Sequence, residues 1–217
     1  MTVQHTATPA RTDLDRVPAS PRSEESPTPA PRPFLWHGSA LTLGALSWSA
    51  GIFAFGPNPQ DPAAVAVFAV CSGLFQLGLL CLLRVLWRTR ALGSGRLART
   101  ALRVETVLVV LAIASTTVDG IGVSDLSQPG WLALDAFWPL SMLGMFAIGI
   151  RIAVAGRWHG PARFWPVVAE SWAVVTVPTM MLLGEGAATV VGGLHLLVGY
   201  AVLGQLVAHK VVADERR

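Results

Sequence analysis

The sequence predicts an all-α, polytopic membrane protein: a bundle of six transmembrane helices behind a disordered N-terminal tail. Three observations predict it. Of the 217 residues, 53% are apolar and only 13% are charged, against roughly 25% charged in a soluble domain, which leaves too few charges to cover a surface facing water. The mean hydropathy is +0.54, positive as in chains dominated by membrane spans. Beyond residue 33, long apolar runs alternate with short polar breaks. The same composition excludes disorder of the whole chain. A formal net charge of +3, from 16 basic and 13 acidic residues, supplies no basic surface for nucleic acid.

Residues 1–33 hold seven of the fifteen prolines and eight charges of mixed sign, with no apolar periodicity. Such a segment buries too little apolar surface to offset its ordering entropy. It reads as a disordered tail. Its first apolar run starts near Phe34, too far along for a cleavable signal peptide, so the tail is expected to stay attached.

Six runs then approach the length of about 20 residues that crosses a hydrocarbon core of about 30 Å. The first, 34–55, stops at Gly56-Pro57-Asn58-Pro59. The second, 63–87, stops at an arginine-rich stretch. The third, 101–118, is the weakest, with Glu105 inside it and Asp119 beside it. The fourth is 131–155. The fifth, 164–183, has Pro166 in its expected first turn, where proline is tolerated, and Pro178 further in, expected to kink it. The sixth is 187–208, followed by a tail, 209–217. Unpaired backbone groups are too costly in lipid, so the runs are helices or strands of a closed barrel. Barrel strands alternate polar and apolar residues; these runs do not.

Charge placement predicts the orientation. Every Lys and Arg lies in the N-terminal tail, around the second connection (Arg84 to Arg103), around the fourth (Arg151, Arg157, Arg163) or at the C-terminus. The first, third and fifth connections have none. The positive-inside rule then places both termini in the cytoplasm. Lys210 is the only lysine. Such a preference for Arg, with much Ala, Val, Leu and Gly, suggests a GC-rich bacterial genome and so the bacterial cytoplasmic membrane. Trp36, Trp87, Trp131, Trp158 and Trp165 fall near span ends, where indoles favour the interface. Trp48, Trp138 and Trp172 lie deeper and read as packing residues. Cys71 and Cys81, ten residues apart and thus about 15 Å along one helix, cannot pair and read as buried apolar side chains.

Ionisable groups inside a bilayer are expensive and are functional candidates by default. Glu105 and Glu170 fall in the cytoplasmic half, and Arg151 ends the fourth span there. The structural reading pairs Arg151 with one carboxylate. The functional reading makes Glu170, the deeper of the two acids, a proton or cation acceptor. Asp119 and Asp135 flank the third connection. They read as solvated acids or, with Asp61, Asp125 and Glu185, as an outward-facing cation site, although no metal-ligand spacing is visible. His195 is the only mid-span histidine, with Gly192 and Gly199 on its helix face. Small residues admit a neighbouring helix, so His195 is expected to face protein. No second histidine matches it in depth as haem would require, and the sequence implies no cofactor and no metal.

Ser141 and His195 lie at similar depth, and a serine beside a histidine can act as nucleophile and base. Six spans, Ser141 on the fourth, and His195 with Gly199 and Gly204 on the sixth together resemble the rhomboid intramembrane proteases. That resemblance implies an intramembrane hydrolase. Ser141 sits in Pro139-Leu140-Ser141-Met142-Leu143-Gly144, not in the family's Gly-x-Ser-Gly, and no other residue role is carried over. HExxH, GxSxG, the P-loop and GxGxxG with its ribose-binding acid do not occur.

The first functional expectation is therefore a non-enzymatic structural or regulatory membrane component. Its expected partners are the lipid bilayer and other membrane proteins or a second copy of the chain. The alternative is a small-solute or ion carrier using the intramembrane carboxylates. The orientation has a direct test. A membrane-impermeant thiol reagent added to whole cells is expected to label a cysteine placed at Pro59 and to spare one at Ser94; the reverse pattern would invert the topology.

Overall fold

A computed structural model describes residues 34–210; the tail 1–33 and residues 211–217 lie outside the described residues. Lipid offers no hydrogen-bonding partner, so each apolar run closes its backbone bonds on itself as a helix. The described residues form no strand and contain six helices long and apolar enough to cross a membrane. They are α1 (Leu35–Phe55), α2 (Pro62–Arg88), α3 (Arg96–Gly120), α4 (Pro129–Ala155), α5 (Pro161–Leu183) and α6 (Glu185–Ala208).

Local chemistry explains where they start and bend. Asp61 caps α2: its carboxylate accepts from the Ala64 N–H at 3.0 Å, with Pro62 at the first helical position. Helix α3 begins five residues before the expected start, because Arg96 and Arg99 are good helix formers that an apolar-run criterion leaves out. Pro166 is the sixth residue of α5, not part of its first turn. That place is taken by Pro161, after Gly160 at φ +61°. Helix α4 is interrupted at Ala136, where Pro139 has no N–H to donate to the Asp135 carbonyl. Helix α6 widens into a π-helical segment over Leu196–Ala201.

The helices pack in a ring in chain order, with α6 returning to α1. Glycines set the spacing along α1. A Cβ on Gly78 of α2 would lie 2.8 Å from the Leu41 Cα, and one on Gly204 of α6 would lie 2.7 Å from the Gly38 carbonyl oxygen. The core inside the ring holds Trp48, Phe75, Met145, Trp172, Leu196 and Tyr200. The outside is apolar as lipid requires, with Leu43, Val70, Val154 and Met181 all exposed. Cys71 and Cys81 are free and half-buried rather than fully buried.

One end of the bundle carries the connections 89–95 and 156–160 with their arginines and is called the basic end. The other carries the connections 56–61 and 121–128 and has no Lys or Arg. Trp158, expected at an interface, is 1% exposed and closes the basic end. Its Nε1 donates to Thr89 Oγ1 at 3.1 Å, and the Lys210 ammonium lies 4.4 Å over its ring. Burial there pushes the Lys210 amine below its ordinary range.

Gly204→Leu is expected to force α6 off α1 and lower stability by about 1–3 kcal/mol, the usual cost of overpacking. Thermal unfolding of the purified protein in detergent measures it.

Candidate functional site

Glu170, on α5, is 1% exposed. The Tyr200 hydroxyl, presented by the π-helical segment of α6, donates to its Oε2 at 2.6 Å. Its Oε1 has no partner among the described residues. Leu82, Leu86, Met145 and Ile152 wall the adjoining space, which has no room for a water molecule. The wide turn places the Tyr200 side chain off the regular α-helical stagger, and such turns cluster at functional sites. Sequence reasoning misses Tyr200. It is the chain's only tyrosine and sits in mid-span, and that is the signal that could have found it.

Glu105, on α3, is 3% exposed, and its Oε1 has no partner among the described residues either. Its carboxyl fills the notch beside Gly144 of α4, in the space a side chain there would take. It lies within electrostatic range of Glu170. On its other side it lines an open apolar groove of about 770 Å³ between α3 and α4, whose lining includes Leu108 and Ala147 and runs to Gly93-Ser94-Gly95 at the basic end. Arg151 stands exposed in the wall of this groove.

Arg151 pairs with neither carboxylate, contrary to the structural expectation. For Glu105 the reason is distance along the helix: its carboxyl sits beside Gly144, and Arg151, on the same face, lies seven residues or about 10 Å nearer the basic end. For Glu170 it is helical phase: Arg151 is turned about 100° from Ile152, which faces that acid. Among the described residues, no cation within the bundle compensates them.

His195 faces protein, as expected. Its Nε2 lies 2.7 Å from the Val168 carbonyl of α5; a carbonyl only accepts, so Nε2 carries the proton. Gly199 permits the approach, since a Cβ there would lie 2.9 Å from the Ala169 Cα. Ser141 is buried and donates to the Trp138 carbonyl of its own helix at 2.9 Å. Each thus has a backbone partner, and they share no hydrogen bond with one another. The nucleophile–base arrangement is not formed.

Asp119 and Asp135 come together in a way their places in the sequence do not reveal. Both line a cavity of about 230 Å³ at the acidic end, whose inner wall is Trp48, Trp138 and Trp172. These three indoles pack on one another, with Trp48–Trp172 centroids 4.7 Å apart and Trp138 edge-on to both. They are packing residues and also a lining. The other acids stay apart. Asp61 caps α2, Glu185 begins α6, and Asp125 accepts from Ser127 and Gln128, bonds that hold its carboxyl below the usual range. Among the described residues no three His, Cys, Asp or Glu side chains gather as a metal site.

Family models, curated proteins and solved structures all return no match to this chain. The class therefore rests on the fold: an all-helical chain whose six apolar helices suit a multi-pass membrane protein.

Tyr200→Phe removes the one hydrogen bond to a fully buried carboxyl. The expected cost is about 1–3 kcal/mol, the desolvation penalty of a group left unsatisfied, read as a lower unfolding temperature in detergent. An unchanged temperature would show that this bond contributes nothing to the fold.

Proposed function

We propose that the protein is a carrier of a small cationic solute or ion, with Glu170 as the group that takes up a proton or the cation midway through the bundle. The observation that carries this reading is a carboxyl 1% exposed, with no cation beside it among the described residues, held by a single tyrosine hydroxyl. A buried polar group with an unpaired oxygen costs free energy, so a purely structural role would favour an apolar residue there. The surroundings of Glu170 lead toward both ends of the bundle. Toward the acidic end, the Tyr200 ring meets Phe75 and then the indole cluster under the acid-lined cavity. Toward the basic end, Glu105 opens onto the lateral groove. In this reading the cavity faces outward, both termini are cytoplasmic, and the membrane is the bacterial cytoplasmic membrane, as the charge asymmetry of the connections supports.

A second reading, the non-enzymatic structural or regulatory component, is supported by the close glycine contacts of α1 with α2 and α6 and by the water-free core around Glu170. It requires no solute movement.

Proteoliposomes separate the two. An inside-acid pH gradient is followed with a fluorescent dye while sodium, potassium or choline chloride is added outside. The carrier reading expects at least one cation to dissipate the gradient through the wild-type protein. Glu170→Gln is expected to slow this by at least about tenfold, or about 1.4 kcal/mol, with the protein still eluting as a folded species. Equal rates in wild-type, Glu170→Gln and empty vesicles would leave the structural reading standing.

A further inference from the structure

The cavity at the acidic end has a lining of two chemistries. Its mouth, beside Pro57-Asn58-Pro59, carries the Asp119 and Asp135 carboxylates, both exposed. Its depth is aromatic: Trp48 and Trp172 are 3% and 5% exposed, and Trp138 is half-buried between them. Neither acid has a cationic partner among the described residues. Asp119 accepts from Ser124 at 2.8 Å, and Asp135 has only a long 3.4 Å contact from Ser115. The connections at this end hold no Lys or Arg, so the local field favours a cation. The Trp48 Nε1 has no acceptor among the described residues, although its ring is buried in the cavity wall. A buried indole N–H normally finds a partner.

A bare metal ion does not suit this lining: beside the two carboxylates it meets scattered neutral oxygens of Asn58, Ser72, Ser115 and Thr116 and an aromatic wall, and among the described residues no three His, Cys, Asp or Glu side chains gather as a metal site. A neutral apolar solute would leave both carboxylates unused. A cation with an apolar shell uses both parts: indole faces attract such an ion electrostatically, and aromatic enclosures recognise quaternary ammonium groups. The volume of about 230 Å³ exceeds the roughly 150 Å³ that accommodates benzene, which sets the size of the occupant. We infer that this cavity binds a small organic ammonium ion. Its charged head lies against Trp48, Trp138 and Trp172, with Asp119 and Asp135 balancing its charge. The inference deepens the carrier reading by naming the solute that enters, and it rests on that reading for passage across the bundle. Binding itself is measured without transport.

The test uses the full chain in detergent micelles at constant ionic strength. Choline and tetramethylammonium are titrated beside 3,3-dimethylbutan-1-ol, the neutral isostere of choline, and sodium chloride. Tryptophan emission and calorimetry are read together. Saturable binding of choline, with a change in emission and with little or none for the alcohol and for sodium, is expected. Asp135→Asn is expected to weaken it by about tenfold, as is Trp138→Leu. Asp135 is exposed and Trp138 only half-buried, and far-UV circular dichroism and elution volume check that the variants fold. If either variant fails to fold, Asp119→Asn takes its place. The inference is overturned by the absence of a saturable signal up to roughly 10 mM, by equal binding of the alcohol, or by undiminished binding in the folded variants. Binding without flux in proteoliposomes would keep the site and remove the carrier. Flux of sodium or potassium without choline binding would do the opposite.

Discussion

Everything in this bundle depends on one constraint: a polar group inside the ring has no water to turn to. Most side-chain hydroxyls meet it locally. Thr89, Thr106, Thr117, Thr179 and Thr189 each return a bond to the carbonyl four residues earlier, and Ser72, Ser141 and Ser171 to the one three earlier. A smaller set is satisfied between helices and ties α6 to its neighbours: Thr42 to the Ala201 carbonyl, Ser49 to Gly193, Trp172 to Gly192 and Trp165 to Gly199. These bonds form because glycine at 199 and 204 lets the backbones approach, while glycine at 192 and 193 leaves room for the Thr176, Trp172 and Phe53 side chains. Glu105 and Glu170 stand out against this background, as acids inside the bundle that each keep an oxygen without a partner among the described residues.

The glycine seam and the glutamates are connected through α6. Regular helix before Leu196 and after Ala201 packs closely on its neighbours, and the wider turn between them brings Tyr200 inward to Glu170. The same placement stacks the Tyr200 ring edge-on to Phe75 and, through it, against Trp48. Three packed rings therefore join the acidic-end cavity to Glu170. They form a contiguous physical route between a solute-sized space and a protonatable group, the two parts that the proposed carrier has to couple.

Helix number and type are legible in the sequence because length and hydropathy are one-dimensional properties: about 20 apolar residues between polar breaks mean a span. Boundaries are legible only where a break has its own chemistry, as at Asp61-Pro62. They are missed where arginines continue a helix past the apolar run, as at Arg96. The roles of single residues are less visible. The protein-facing side of His195 can be read from the glycines on its helix face. The surroundings of Arg151 cannot, since its place at the end of the fourth span says neither how far along the axis the acids lie from it nor which way it is turned. Asp119 and Asp135 read as separate loop acids, and Trp48, Trp138 and Trp172 as packing, because they come from α1, α3, α4 and α5 and converge only in three dimensions.

By itself, then, the sequence determined six apolar helices, a polarised distribution of basic residues and the short roster of internal ionisable groups, since each depends on residue type and spacing along the chain. Tertiary structure alone decided which of those groups meet. Helices that are apolar on nearly every side, such as α1, carry no stripe that declares an inward face. Their rotation is set by where glycines allow contact. That rotation joins Tyr200 to Glu170, turns Arg151 away from Glu170, and closes two aspartates and three tryptophans around one cavity.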